Sequence, residues 1–171
     1  MRIDILRDTP FGRVLNAHPI VAIDVGARGG FEPDLAPIAF AVDAIGFEPE
    51  PRAFAALGDR GSWRSLRWLP TAISGHGGPR GLYVTTDNQS TTLIEPDPAI
   101  GAAFDKPQFV TVERVLTVDT QTLDAAVAGL ATQVDYLKLD VEGAELEVLD
   151  GAPRLVADLL AIKTEVSFIP R

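Results

Sequence analysis

Four acidic residues stand where an apolar run gives way to a turn or a strand end. They are Asp24 in 21-VAIDVGARGG-30, Glu48 in 44-AIGFEPE-50, Asp140 in 134-VDYLKLDVEG-143 and Glu165 in 161-AIKTEVSF-168. A carboxylate so placed can accept hydrogen bonds from ligand hydroxyls, face a cation, or take up a proton. Asp24 runs into a turn holding Gly26, Gly29 and Gly30. Without a Cβ, such a turn lets a ligand approach the backbone, and a following helix start offers free N–H groups. The spacing is not G-x-G-x-x-G, so the turn is a poor dinucleotide fingerprint and is equally consistent with a purely structural tight turn.

Glu48 adds to the glycine turn. At the end of a second strand, an acid can accept from both hydroxyls of a ribose, and the pair of features suggests a cofactor containing a nucleoside. Asp24 narrows the choice. A carboxylate there would repel a pyrophosphate but suits an ammonium or sulfonium group. S-adenosylmethionine has both groups and a ribose; the competing reading is that Asp24 only bonds nearby turn amides.

Asp140 and Glu142 flank the carboxyl end of another strand, the side on which open α/β sheets bind ligands. Lys138 and Asp140 share a face by the period of two, as a functional pair or a structural one. Glu142 either serves that ligand-binding edge or simply favours a helix N-terminus through the macrodipole, the two readings being equal. Asp140 is the first choice as a general base and Glu165 the second. His76, in 75-GHGGP-79, is read as an exposed loop histidine, and His18 is given no role. Asp140, Glu142 and Glu165 could offer oxygen ligands to a metal, but no ligand-spacing motif supports a site and none is assigned.

These residues need a scaffold that aligns strand ends. Short apolar runs at 20–26, 44–50, 66–74, 134–141 and 161–168 read as strands. Helical signals fall at 51–61, with Phe54 and Leu57 on one face, and at 144–153, with Leu146 and Leu149 on one face. Pro33 and Pro37 predict a short or broken helix in 31–43. The alternation predicts an α/β fold with a mostly parallel, doubly wound sheet. Segments 81–86 and 109–118 are β-like and bracket a long polar excursion, 87–107, in which 88-NQSTT-92 is expected to face a hydroxylated substrate.

Composition limits the function classes. The 171 residues carry a net charge of −9 and no adjacent basic residues, which disfavours a nucleic acid partner. There is no cysteine, so disulfides and thiolate chemistry are excluded. No apolar stretch approaches membrane-spanning length and the first residues lack a signal-peptide core, so the expectation is a cytoplasmic chain with no membrane partner. Residues 1–19 read as a leader packed on a single domain, 20–171.

The blocks DVGARGG, GFEPEP, TAISG, TLD at 122–124, VDYLKLDVEGAELEVLDGA and AIKTEVSF, in this order, resemble the FkbM-type S-adenosylmethionine-dependent methyltransferases. The resemblance spans about residues 20–170. It implies a Rossmann-like class I methyltransferase fold, with the cofactor across the ends of the first, second and fourth strands. It also implies methylation of a hydroxyl or carboxyl oxygen on a small-molecule or sugar acceptor. Carried onto this chain, the glycine motif falls on Asp24, Gly26 and Gly29 or Gly30, the ribose acid on Glu48, and the DVEG block on residues 140–143. Arg28 stands where the family often has Asn. Related chains usually continue past the fifth strand, so the C-terminus reads as shortened. With a strand order of 3-2-1-4-5, segment 161–168 would be an apolar edge through which the chain self-associates as a homo-oligomer. Two alternatives remain: a degenerate, non-catalytic cofactor-binding module, and a nicotinamide-dependent oxidoreductase.

Overall fold

The structure, a computed structural model, describes residues 6–58, 63–87 and 89–166. Helix α1 (Pro10–Ala17) opens the chain, its first turn capped by Thr9, whose side chain accepts from the Gly12 amide. Then come β1 (Ile20–Val25), a 3-10 helix (Pro33–Ala41), β2 (Val42–Phe47), α2 (Pro51–Ala56), β3 (Ser65–Leu69), β4 (Ala72–Ile73) and β5 (Gly78–Thr85). The second half holds α3 (Pro98–Ala103), a 3-10 turn (Pro107–Phe109), β6 (Val112–Gln121), α4 (Leu123–Ala126), β7 (Tyr136–Leu139), α5 (Glu145–Asp150), α6 (Pro153–Ala157) and β8 (Ala161–Thr164).

Five strands form an all-parallel sheet in the order β3-β2-β1-β7-β8, the 3-2-1-4-5 arrangement expected. The period of two divides its side chains between two covered faces. On one face Ile23, Val25, Ile45, Phe47, Leu137 and Leu139 pack with Leu123, Val148 and Leu155 from the three helices after β6. On the other, Ala22, Val42 and Ala44 pack with Phe31, Trp63 and Trp68 under the 3-10 helix. This is a doubly wound, Rossmann-like α/β fold. On this second side the Arg7 guanidinium lies 5.1 Å above the Phe40 ring.

Three segments differ from their sequence reading. The run 66–74 is two strands, because Pro70 supplies no N–H for a ladder. β3 stays in the parallel sheet, while β4 joins a second sheet of order β4-β6-β5, in which β5 and β6 are antiparallel. The helix read over 51–61 ends at Ala56; Leu57 is extended and so does not share a helical face with Phe54, and residues 59–61 lie outside the described residues. The helix read over 144–153 is α5, which stops at Gly151 as expected but turns a different face to the core. In α5 the buried positions are Glu145 and Val148, while Leu146 is 68% exposed, so the expected Leu146–Leu149 face does not form. The broken helix expected over 31–43 is present as the 3-10 segment with Pro37 inside it.

Within the 87–107 excursion, Tyr83 and Thr92 exchange backbone hydrogen bonds, which folds the segment back along β5. β8 is an edge strand, with Ile162 45% and Val166 59% exposed. Ser167 and Phe168 lie outside the described residues.

Candidate active site

Strand register sets out the site. Asp24 pairs with Gly46 on β2 and with Lys138 on β7, and Lys138 pairs with Lys163 on β8. Two residues farther along, on the same face, stand Glu48, Gly26, Asp140 and Glu165, each just past the end of its strand. Four separate sequence blocks thus become neighbours along the carboxyl edge of one sheet, where α/β folds bind ligands. A cavity of about 420 Å³ opens there, lined by Gly26, Gly29, Arg28, Glu48, Lys138, Asp140 and Glu142 and closed on the far side by Leu82, Gln89, Thr91 and Thr92. Gly30 and Glu165 stand outside the lining.

The glycine turn has two reasons for being glycine. Gly26 has φ of +84°, and a Cβ on it would lie 2.0 Å from the carbonyl oxygen of Asp140. Only a bare backbone lets β1 and β7 stay together at the cavity floor. Gly29 and Gly30 have φ of +83° and +140° with nothing near a Cβ position, so there the backbone conformation alone requires glycine.

Asp24 does not line the cavity. It is 1% exposed, and the Lys138 ammonium lies 3.0 Å from its Oδ1. Lys138 also donates to the Gly26 carbonyl at 3.0 Å and sits 3.3 Å from Asp140 Oδ2. Burial pushes the Asp24 carboxyl up to about 6 despite the opposing pull of Lys138. Asp24 therefore reaches the cavity only through Lys138, which ties the glycine turn to the end of β7.

Glu48 is 4% exposed and lines the cavity. Its Oε1 accepts from the Glu50 amide at 2.8 Å, and Oε2 lies 4.0 Å from Arg28 Nε. Burial outweighs the help of that amide and of Arg28 and raises its pKa. Arg28 donates to Thr91 Oγ1 at 2.9 Å and to Glu50 Oε2 at 3.4 Å, so it links the acids after β2 to the far wall. Glu50 caps α2 by accepting from the Arg52 and Ala53 amides and takes Arg114 from β6 at 2.9 Å. Burial alone would raise its pKa, but these amides and the two guanidinium groups outweigh it and hold the carboxyl low.

The DVEG turn is unusual. Glu142 has φ of +55° and Gly143 +99°, so Glu142 is held in a conformation that side chains other than glycine rarely adopt. Glu145 holds the turn by accepting from the Val141 and Gly143 amides at 3.0 and 3.1 Å, and Thr92 Oγ1 donates to the Glu142 carbonyl at 3.0 Å. α5 begins at Glu145, so Glu142 precedes the helix and is not one of its first-turn acids. Carboxylate oxygens of Asp140, Glu142 and Glu165 all lie within 4.8 Å of one another. Partial burial, then the charges of Glu165, Asp140, Glu145 and Asp87, push Glu142 up to about 7. Burial and then Asp140 raise Glu165 as well. Exposed acids of this kind gather in many proteins without an ion, and no metal is assigned to them.

Sequence reading missed Glu50, Arg114 and Glu145. Glu50 had a local signal, an acid directly before a proline that opens a helix. Arg114 had none, since its partner lies far away in the chain. In the acceptor segment, Gln89, Thr91 and Thr92 line the cavity, whereas Ser90 is buried outside the lining and Asn88 lies outside the described residues. His76 is exposed, 3.8 Å from Glu147 and away from the cavity lining. Among the described residues no helix is long and apolar enough to cross a membrane.

The methyltransferase FkbM domain family matches residues 24–170, which takes in the end of β1, the other four strands of the parallel sheet and the whole cavity lining. No curated protein and no solved structure matches the chain. The chain belongs to the FkbM methyltransferase domain family, and its sheet is that of a Rossmann-like methyltransferase.

Proposed function

We propose that this FkbM-family chain is an S-adenosylmethionine-dependent O-methyltransferase acting on a hydroxyl or carboxyl oxygen of a small molecule or sugar. The observation that supports this most is the meeting of Glu48, Gly26, Gly29 and Asp140 around one cavity at the carboxyl edge of the sheet. The cavity fits the cofactor chemically. Glu48 Oε2 accepts no hydrogen bond from the described residues and is free to take ribose hydroxyls, while the bare backbone at Gly26 and Gly29 admits close approach. Asp140, in the cavity lining, puts a carboxylate where a sulfonium and an ammonium would be drawn. S-adenosylmethionine supplies a methyl group already activated on sulfur.

The chain's own residues have less to do. They must hold nucleophile and methyl in line, keep water out, and take one proton from an alcohol acceptor. Gln89, Thr91 and Thr92, across the cavity from the glycine turn, offer amide and hydroxyl groups to that acceptor. The same cavity without turnover would be the degenerate binding module. The family match and the absence of G-x-G-x-x-G both weigh against the oxidoreductase alternative.

The ribose assignment has a direct test. Glu48→Ala removes charge-assisted hydrogen bonds and is expected to weaken S-adenosylmethionine binding roughly tenfold to a hundredfold. Calorimetry would read it, and unchanged affinity would remove Glu48 from the site. The apolar β8 edge is proposed to pair with a second copy of the chain, because Ile162 and Val166 are exposed beside unpaired backbone groups. Light scattering at several concentrations should show mass rising with concentration, and a strict monomer would rule this out.

A further inference from the structure

We infer that Glu142, rather than Asp140 or Glu165, is the catalytic base that takes the proton from the acceptor hydroxyl; this rests on the methyltransferase reading above. Three features separate it from its neighbours. Glu142 lines the cavity, which Glu165 does not. Asp140 also lines it, but its carboxylate is already paired with the Lys138 ammonium at 3.3 Å. Glu142 forms no ion pair among the described residues, whereas Asp24, Glu48, Glu50 and Asp140 each have a cationic neighbour.

The backbone supports the same assignment. A glutamate at φ of +55° is costly, and here the turn is held from both sides, by Glu145 on the flanking amides and by Thr92 on the Glu142 carbonyl. Thr92 belongs to the wall proposed to meet the acceptor, so one contact joins the base to the acceptor surface. The groups facing the Glu142 carboxyl are Asp140 on the β7 end, Glu165 after β8, Glu145 on α5 and Asp87 after β5. All are acids. Their charges and partial burial place its proton affinity near neutrality, where a base both accepts a proton and is regenerated.

The step balances simply. The acceptor O–H gives its proton to the Glu142 carboxylate as the oxygen bonds the methyl carbon. The C–S bond breaks with its electron pair going to sulfur, leaving a neutral thioether, and the protonated Glu142 later releases the proton to solvent.

The test uses the whole chain with Glu142→Gln and Glu142→Asp. Carboxyl carbon NMR of ¹³C-labelled wild type, with Glu142 assigned through the Gln variant, should show it titrating near pH 7. Titration below pH 5 would overturn the assignment whatever the activity. S-adenosylhomocysteine release is then followed from pH 5 to 9 with methyl glucoside and catechol as acceptor probes. Wild-type turnover should rise through about pH 7, Glu142→Gln should lose about a hundredfold in turnover with S-adenosylmethionine affinity within twofold, and Glu142→Asp should recover part of the rate. A Gln variant with wild-type rate and pH profile would overturn the role. If neither probe is methylated, the titration decides. Absence of S-adenosylmethionine binding by the wild type would defeat the methyltransferase reading itself, a different outcome from normal binding with Glu142 titrating below pH 5.

Discussion

Gly26→Ala is expected to destabilise the fold by about 3 kcal/mol or more and to abolish cofactor binding. The added Cβ would lie 2.0 Å from the Asp140 carbonyl oxygen, and that atom is backbone, so no rotamer change relieves the contact. The residue would also have to keep a φ of +84°, where an alanine is strained. To fit it, β1 and β7 must separate at their ends, although the Asp140 amide there donates to Val25 and Lys138 donates to Gly26. For a chain of this size the loss lowers the melting temperature by roughly 6–12 °C. Calorimetric melting together with S-adenosylmethionine titration would check both halves. Wild-type stability and affinity in this variant would mean that the β1–β7 junction does not form as described. Gly29→Ala is the control: it meets nothing within 4 Å, so its cost comes from backbone conformation alone and should be smaller.

Lys138→Met has an effect of comparable size and a characteristic pH dependence. Lys138 is 14% exposed and neutralises Asp24, itself 2% exposed on its side chain, while also serving Asp140 and the Gly26 carbonyl. Removing one member of a buried pair leaves the other charge uncompensated, at a cost of about 3–5 kcal/mol. The sign with pH follows from Asp24. Its folded pKa, about 6, already lies above the ordinary 3.8, so ionising it costs stability as pH rises through that interval. Without Lys138 the folded value moves higher still. The deficit of Lys138→Met against wild type is therefore widest above pH 7 and narrows at pH 5, where Asp24 takes a proton. Adding Asp24→Asn should restore much of the loss at pH 8. Urea unfolding at the two pH values measures it, and a deficit independent of pH would show that Asp24 is not the group left unpaired.

The residues that were legible in the sequence share a cause. Glu48, Gly26, Asp140 and Glu165 each end an apolar strand, and parallel strands brought into register place such ends side by side. Local pattern plus the direction of the strands was enough. The order of the sheet followed from the family resemblance, and the register confirms it. What escaped depends on contacts between distant segments. Asp24 was read as facing the ligand, but Lys138, far along the chain, occupies the space beside it. Arg28 has no local meaning until Thr91 and Glu50 approach it. The division at Pro70 was legible in principle, since proline interrupts a ladder, but the apolar residues on either side suggested one strand. For Glu142, a plain helix-end acid was one of two equal readings. Glu145 instead holds the turn with Glu142 in the left-handed region, and the helix begins at Glu145.

The account stands most directly on what occupies the cavity at the carboxyl edge of the sheet, so the decisive measurement is a crystal structure of the chain with S-adenosylhomocysteine. The predicted result is a nucleoside whose ribose hydroxyls bond Glu48, whose chain passes over Gly26 and Gly29, and whose sulfur points toward Asp140 and Glu142. A cavity that stays empty at saturating ligand, or a nucleoside bound without touching Glu48, would contradict it.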